Sequence, residues 1–208
     1  DLHLCDRRQR QMCIRDSVSI SRVNAHTTYP ADFQLVAAMN PCRCGHLGNH
    51  SLECSRVPKC AEEYQSRISG PLLDRIDLHI EVNAVSPWDL ADIKKGENSA
   101  QIQARVVAAR QIQAVRFRRL GEPKLQTNSQ LKGRLLEEVS VLDNEAQQLL
   151  TAFADKNQLS ARAYHRTLRL ARTIADLQNC EKIHKLHIAE ALSYRRIMPS
   201  KSHLGEKR

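Results

Sequence analysis

The sequence predicts an α/β region followed by an all-α region. Segments 18–20, 27–36 and 76–82 are rich in β-branched and aliphatic residues, which favours strands. From Asn98 onward, apolar residues recur at near-helical spacing instead. Segment 83–98 holds Pro87, Trp88, Gly96 and several charges, so we expect it to be a hinge between the two regions.

The composition allows one or two modest cores and favours an anionic partner. Of 208 residues, 41% are hydrophobic but only 4% aromatic, so any core is mainly aliphatic. Lys and Arg number 32 against 23 acids, a net charge of +9. This charge suits nucleic acid, phosphates or an acidic protein, or else only a basic surface. No apolar run approaches the ~20 residues that span a bilayer, and no signal peptide is visible, which predicts a cytoplasmic protein without a membrane partner.

Both ends of the chain stand apart from the rest. Residues 1–17 match none of the patterns that follow, and the run from Met12 to Ser17 resembles translated sequencing-adapter sequence. We therefore expect 1–17 to be a non-native or disordered leader, and 198–208 to be a disordered tail.

The first structured segment is predicted to be a β-hairpin that leads into a central strand. Residues 18–20 and 27–36 form its arms, with 24–26 as the tip, although an ordinary surface hairpin would fit this segment equally well. Gln34 to Asn40 is short and apolar, which predicts a parallel strand with Asn40 at its carboxyl edge. Ligands of open α/β sheets bind at such edges, but Asn-Pro also commonly opens a turn.

Four cysteines cluster after this strand. Cys42, Cys44, Cys54 and Cys60 could supply four thiolates to a structural zinc ion, with His46 and His50 as substitutes. The spacings C-x-C and C-x₅-C depart from the usual C-x₂₋₄-C pairs. Zinc, reduced thiols and disulfides all remain open.

Arg75 lies between a predicted helical segment, Tyr64 to Leu73 interrupted by Ser-Gly-Pro, and the predicted strand 76–82. An arginine in this position could bind a phosphate group, and Arg67 is the other candidate for this role. The alternative is a plain surface ion pair between Asp74 and Arg75.

The remaining helices have recognisable starts. Asn98, followed three residues later by Gln101, predicts an N-cap, and Gly121 ends that helix. Asp143 and Ser160 are predicted to cap the next two, and residues 187–194 form a last one. The first helix carries arginines that form either a solvated face or a binding stripe: Arg105, Arg110, Arg116, Arg118 and Arg119.

Four segments carry a resemblance to a known family: 33–40, the following Pro-Cys-Arg-Cys-Gly, 69–79 and 159–177. Together they resemble the Mg-chelatase-like AAA+ ATPases of the ComM/YifB type, from about residue 18 to 196. The resemblance implies the C-terminal part of an AAA+ P-loop NTPase sheet followed by a helical lid. It divides the chain into a partial AAA+ core (18–83), a hinge and basic helix (84–128) and a Mg-chelatase-type lid (129–197). The core would contain a pre-sensor hairpin, a sensor-1 strand, the Cys-rich insertion and the arginine-finger region.

The resemblance also implies roles for individual residues. Asn40 would be the sensor-1 amide that orients the attacking water, and Arg75 the arginine finger that acts in trans. Arg162 would be the sensor-2 arginine on the γ-phosphate, and Arg166 a second nucleotide-binding arginine, with Arg169 also in reserve. In the pore hairpin, Arg22 and His26 would contact DNA.

Two elements of a complete ATPase are not found in the sequence. It contains neither a G-x-x-x-x-G-K-S/T loop nor an apolar strand that ends in paired acids. We therefore expect a C-terminal fragment of a longer protein, inactive alone. The resemblance implies a hexameric ring that uses ATP and Mg²⁺ and acts on DNA, as a helicase or in branch migration during recombination or natural transformation. The alternatives are a Mg-chelatase-type subunit that remodels a protein partner and a non-enzymatic DNA-binding module.

Overall fold

The computed structural model describes residues 17–22, 25–30, 33–45, 56, 58–82 and 96–195. Strands β1 and β2 span Ser17–Arg22 and Ala25–Pro30. Two short helices follow, α1 (Lys59–Gln65) and α2 (Gly70–Leu73). The helical part contains α3 (Ser99–Arg119), a 3-10 helix (Asn128–Gln130), α4 (Gly133–Val139), α5 (Asn144–Asn157), α6 (Ala161–Leu177) and α7 (Lys185–Ser193). This order is compatible with the predicted α/β and all-α regions.

The predicted hairpin is present. Strands β1 and β2 pair antiparallel, with Ser17 opposite Pro30 and Arg22 opposite Ala25. Cross-strand side chains add to the pairing, since the hydroxyls of Ser19 and Thr28 lie 3.0 Å apart. The second strand ends at Pro30, earlier than the sequence predicts.

Two predicted strands are absent from the described structure, and those predictions were wrong. Segment 33–40, which includes the predicted central strand, and segment 76–82 contain no strand residues. Their apolar side chains are exposed, with Phe33 at 72% and Val36 at 86%. A central parallel strand needs hydrogen-bonded neighbours and apolar cover on both faces. In the described residues the sheet consists of β1 and β2 alone, so neither segment finds such a neighbour.

The predicted helix starts are confirmed. The Asn98 side chain accepts from the Gln101 amide at 2.9 Å, and the Gln101 side chain accepts in return from the Asn98 amide at 3.0 Å. Asp143 caps α5 through the Ala146 amide, at 2.7 Å. Helix α3 ends at Arg119, followed by Gly121 with a φ of 75°, a left-handed conformation that glycine adopts readily.

The buried apolar residues in the core of the helical part are aliphatic apart from Phe117. Phe117 of α3, Leu136 of α4, Leu150 of α5 and Leu168 of α6 are among its buried members, and Ile188 of α7 is fully buried with them. Every one of these helices therefore contributes apolar surface to a single cluster. The burial of this shared surface is the main favourable term that holds the helices together.

A buried carboxylate, Asp176 of α6, joins three elements of this core. Arg172, one turn earlier, lies 3.0 Å from it, and both side chains are 0% exposed. Arg116 of α3 forms a second ion pair with it, and the amides of Gln113 and Asn128 donate at 3.2 and 2.8 Å. Burial lowers the pKa of Arg172, and the neighbouring Asp176 carboxylate opposes that shift. Since a buried charge is costly without partners, this network fixes how α3 and the 3-10 helix sit on α6.

The start of α5 meets the start of α7 through polar contacts. Leu142 and Ile183 form an isolated parallel bridge, and the Asp143 carboxylate lies 2.8 Å from His184 Nδ1. The pKa of Asp143 is lowered, first by the hydrogen bond from the Ala146 amide and then by His184. His187 is buried beside this contact, where its Nδ1 accepts from the His184 amide at 3.0 Å.

Candidate functional site

The first turn of α6 carries Arg162, the predicted sensor-2 residue. Ser160 caps this helix by accepting from the Ala163 amide at 3.1 Å, which confirms the predicted start. Gln158, just before the cap, has a φ of 47° and turns the chain sharply out of α5. The Arg162 side chain is exposed, next to the helix end that carries a partial positive charge. The surroundings of Arg162 therefore favour an anion.

One turn further along α6, Arg166 contacts the loop that follows α2. One of its guanidinium nitrogens donates to the Asp77 carboxylate at 2.7 Å and also to the backbone carbonyl of Arg75. The Arg166 side chain is only 18% exposed, and its Nε is buried without a hydrogen-bond partner in the described part of the chain. The sequence placed Arg166 as a reserve nucleotide ligand, whereas here its terminal nitrogen contacts the candidate arginine-finger loop.

Arg169, the next arginine on the same face of α6, also forms a hydrogen bond within the protein. It donates to the Ser129 carbonyl at 3.3 Å, and burial lowers its pKa. Nearby Asp77 counteracts part of this shift, while Arg166 reinforces it.

Arg75 itself is exposed. Its guanidinium donates to the Pro71 carbonyl of α2 at 3.0 Å. Asp74 pairs with Arg195 at 3.1 Å, so the simple surface pair of Asp74 with Arg75 is not the ion pair that forms. The His79 amide also donates to the Tyr194 carbonyl at 2.8 Å. The loop that carries Arg75 is thus fastened to the helical part at both ends, while the Arg75 side chain stays at the surface.

Asn40, the predicted sensor-1 residue, is the last residue of the irregular segment 33–40, just before the cysteine turn. Its side chain is exposed. The Gln65 side chain of α1 donates to the carbonyl of Pro41, the next residue, at 2.7 Å. Asn40 is therefore held close to α1.

A cleft of about 300 Å³ lies where α2, the end of α5 and the start of α6 meet. Neither Asn40, Arg75 nor Arg162 lines it, so the structure does not bring the three candidate catalytic residues together there. Its lining residues are Gly70, Leu73, Asp74, His79, Phe153, Asn157, Gln158, Leu159, Ser160, Ala163 and Arg195. The nucleotide roles of Asn40, Arg75 and Arg162 are therefore proposals.

The candidate DNA-binding residues lie on the hairpin. Arg22 is the last residue of β1 and is paired in register with Ala25. His26, at the start of β2, is exposed, and its Nδ1 lies 2.7 Å from the Ser21 hydroxyl. Both residues thus lie next to the tip of the hairpin, where a nucleic-acid backbone could approach.

The predicted metal ligands are only partly described. The sulfur atoms of Cys42, Cys44 and Cys60 lie within 4.8 Å of one another. Cys54 and the substitutes His46 and His50 lie outside the described residues.

Three polar residues at these contacts were missed or misjudged from the sequence: Asp77, Asp176 and Arg195. The partner of Asp77 could not be seen in the sequence, because Arg166 is 89 residues away. Only Asp176 had a local signal, since Arg172 precedes it by four residues on one helix.

Comparison with known proteins identifies the class. The family model "Magnesium chelatase, subunit ChlI" matches residues 8–90, and "Magnesium chelatase, subunit ChlI C-terminal" matches residues 96–195. The chain therefore belongs to the Mg-chelatase-like family of the ComM/YifB type.

Individual relatives agree with this assignment. The chain is 41% identical to the uncharacterized protein YifB of Salmonella typhimurium over 182 aligned residues. These residues make up 86% of this chain and 34% of that protein. It is 40% identical to the competence protein ComM of Haemophilus influenzae over 188 aligned residues. These residues make up 89% of this chain and 35% of that protein. The chain thus spans about a third of the length of these curated relatives.

None of the helices in the described part of the chain is both long and apolar enough to cross a membrane.

Proposed function

We propose that this chain is the phosphate-sensing and DNA-contacting part of a ring-forming AAA+ ATPase that acts on DNA. In the complete protein it would form a homo-hexamer and use ATP and Mg²⁺. It would act as a helicase, or it would drive branch migration during recombination or natural transformation. The described part of the chain, a two-stranded hairpin followed by helices, is compatible with a fragment of such a protein.

One observation carries the proposal. Arg166 of α6 bonds to the carbonyl of Arg75, the candidate arginine finger, and lies one turn from Arg162, the candidate sensor-2 residue. Two exposed arginines are thus carried by elements that touch each other. In a ring, one would report on the subunit's own nucleotide and the other on its neighbour's, so this contact would connect adjacent sites.

The chemistry of each residue suits its proposed role. Arg162 lies in the first turn of a capped helix, where the partial positive charge also favours phosphate. Arg75 has an exposed guanidinium that would stabilise the charge that develops on the transferred phosphoryl group. Asn40 would orient the attacking water. Mg²⁺ and the phosphates would be held mainly by parts of the complete protein other than these residues.

DNA as the partner is supported by charge and by a relative. The chain carries a net charge of +9, and its hairpin places Arg22 and His26 near the tip. The Haemophilus influenzae relative is named as a competence protein, which fits a role in DNA uptake and recombination. A motor with this substrate would act in the cytoplasm.

A second candidate function is favoured by the two matching family models, both of which describe a magnesium chelatase subunit. In that function the same ATPase would remodel a protein partner during Mg²⁺ insertion, and DNA would play no part.

The ATPase activity of the complete protein distinguishes these functions. We expect hydrolysis that is stimulated by branched DNA and lost in Arg75→Ala and Arg162→Ala, whereas Arg134→Ala, an exposed residue of α4, serves as the control. Hydrolysis that does not respond to DNA would favour protein remodelling. Absence of hydrolysis in the unaltered complete protein would overturn both.

A further inference from the structure

We propose that Cys42, Cys44 and Cys60 bind a zinc ion that ties the turn after Asn40 to helix α1. Their three sulfur atoms lie within 4.8 Å of one another, and the sulfurs of Cys42 and Cys44 are 3.2 Å apart. Around a tetrahedral zinc ion with Zn–S bonds of about 2.3 Å, neighbouring sulfurs are about 3.8 Å apart. The separation of the Cys42 and Cys44 sulfurs is shorter than this value, and the Cys60 sulfur lies no more than 4.8 Å from either, so small side-chain movements would bring the three sulfurs to it. This inference is independent of the proposed ATPase function.

The backbone around Cys42 and Cys44 forms a tight turn. The Gly45 amide donates to the Cys42 carbonyl at 3.1 Å, and Gly45 has a φ of 80°, which favours glycine. The turn directs two sulfurs from one short segment toward Cys60, in the first turn of α1. The Gln65 side chain holds the same turn against α1 by donating to the Pro41 carbonyl at 2.7 Å.

Burial of apolar surface does not account for this convergence. Cys42 is 0% and Cys60 9% exposed, and with Ala61 they form a small cluster separate from the main core. Cysteine can act as a small apolar residue, which would explain two buried thiols. Cys44, however, is exposed and still lies beside the other two sulfurs. Three side chains this small bury little area, and segments of this size commonly rely on a metal or disulfides.

Zinc is the ion that this ligand set favours. Thiolates are soft ligands, and among common divalent ions they select zinc, which has no redox chemistry. Cys42, Cys44 and Cys60 form no disulfide within the described part of the chain. Binding would release the thiol protons to solvent and would make the site sensitive to chelators and acid. The ion would be structural, with no part in phosphate chemistry.

The test is the metal content of untagged protein purified under reducing conditions. We expect about one zinc ion per chain by mass spectrometry of the digested protein, and a loss of most of it in Cys42→Ser, Cys44→Ser and Cys60→Ser. Cys180→Ser is the matched control, because Cys180 lies beyond α6 and outside the thiol cluster. Zinc that is absent from the unaltered protein, or retained equally by all four variants, would overturn the proposal.

A second measurement covers the case in which the variants fail to fold. Cobalt added to the unaltered metal-free protein should produce the visible absorption bands typical of tetrahedral cobalt bound to thiolates. Zinc should also protect Cys42, Cys44 and Cys60 from alkylation while Cys180 remains reactive, as read by peptide mass spectrometry. Equal labelling of all four cysteines with and without zinc would contradict the site.

Discussion

Arg166 of α6 donates a hydrogen bond to the Asp77 carboxylate at 2.7 Å, although 89 residues separate the two in sequence. The same guanidinium binds the carbonyl of Arg75, 91 residues away. The contact therefore joins the loop that carries one candidate phosphate-binding arginine to the helix that carries another. Arg195 reinforces it through its ion pair with Asp74 at 3.1 Å.

The Arg166–Asp77 pair should contribute only modestly to stability, because Asp77 is 62% exposed. A double-mutant cycle with Arg166→Met and Asp77→Asn should give a coupling energy of about 0.2–1 kcal/mol in urea unfolding. The pair of Arg56 with Glu63, which are 62% and 54% exposed, is the reference and should couple less. A coupling no larger than in the reference pair would show that this contact does not hold the loop.

Removal of the Asp176 carboxylate should be strongly destabilising. Asp176→Ala leaves Arg172 buried without its carboxylate partner, and breaking a buried pair from one side typically costs about 3–5 kcal/mol. The free energy of unfolding in urea measures the effect. Glu138→Ala, at an exposed position of α4, should stay within about 0.5 kcal/mol of the unaltered protein. A similarly small effect of Asp176→Ala would contradict the structural role of the network.

Stability should decrease as the pH falls through the ordinary pKa of histidine, about 6.5. The pKa of His187 is lowered, first by burial and then by His184 and Arg172, while Glu190 and Asp143 oppose the shift. The unfolded chain therefore binds the proton more readily, and the folded state loses stability until His187 is also protonated. The hydrogen bonds of the ring are those of a neutral imidazole, since its Nδ1 accepts from the His184 amide and its Nε2 lies 2.9 Å from the Gln178 side-chain oxygen, to which it can donate.

Chemical unfolding at a series of pH values checks this prediction. His187→Gln should flatten the decrease between pH values of about 7 and 5, whereas the exposed His26→Gln should leave it unchanged. The lowered pKa of Asp143 acts in a separate, more acidic range, since its stabilisation is lost only below the ordinary value of 3.8. Identical profiles for His187→Gln and the unaltered protein would show that another group titrates.

Mixed rings can test whether Arg75 acts across a subunit boundary. If Arg75 serves the neighbour's nucleotide and Arg162 its own, Arg75→Ala and Arg162→Ala subunits should each be inactive alone in the complete protein. Mixed together, they should recover part of the ATPase activity, because some interfaces then combine both intact arginines. Failure of the mixture to recover activity, with ring assembly verified by light scattering, would place both arginines at the same subunit's nucleotide.

The hairpin should contribute to DNA affinity rather than to sequence preference. Arg22→Ala in the complete protein should weaken DNA binding similarly for different sequences, and should reduce the slope of log affinity against log salt by about one. Fluorescence anisotropy at several salt concentrations measures both quantities. Arg134→Ala is the control for the loss of one positive charge. Equal salt slopes for the two variants would exclude a phosphate contact by Arg22.

The features predicted correctly from sequence are local ones. The caps of Asn98, Asp143 and Ser160 form as expected, because a cap depends on a side chain and an amide three residues away. The predicted hairpin also forms, although its second strand ends at Pro30 and not at Val36, because its two strands are close in sequence. Family membership was also predictable, since it rests on runs of residues such as 69–79 and 159–177.

Pairing between distant segments could not be predicted in this way. The apolar segments 33–40 and 76–82 have strand-like composition, but a strand needs partners, and the described residues supply none for them. Arg116 looked like one surface arginine among several on α3 until folding placed it against Asp176, 60 residues away. An arginine has the same charge and length in every setting, so only the folded chain determines which carboxylate, carbonyl or solvent it faces.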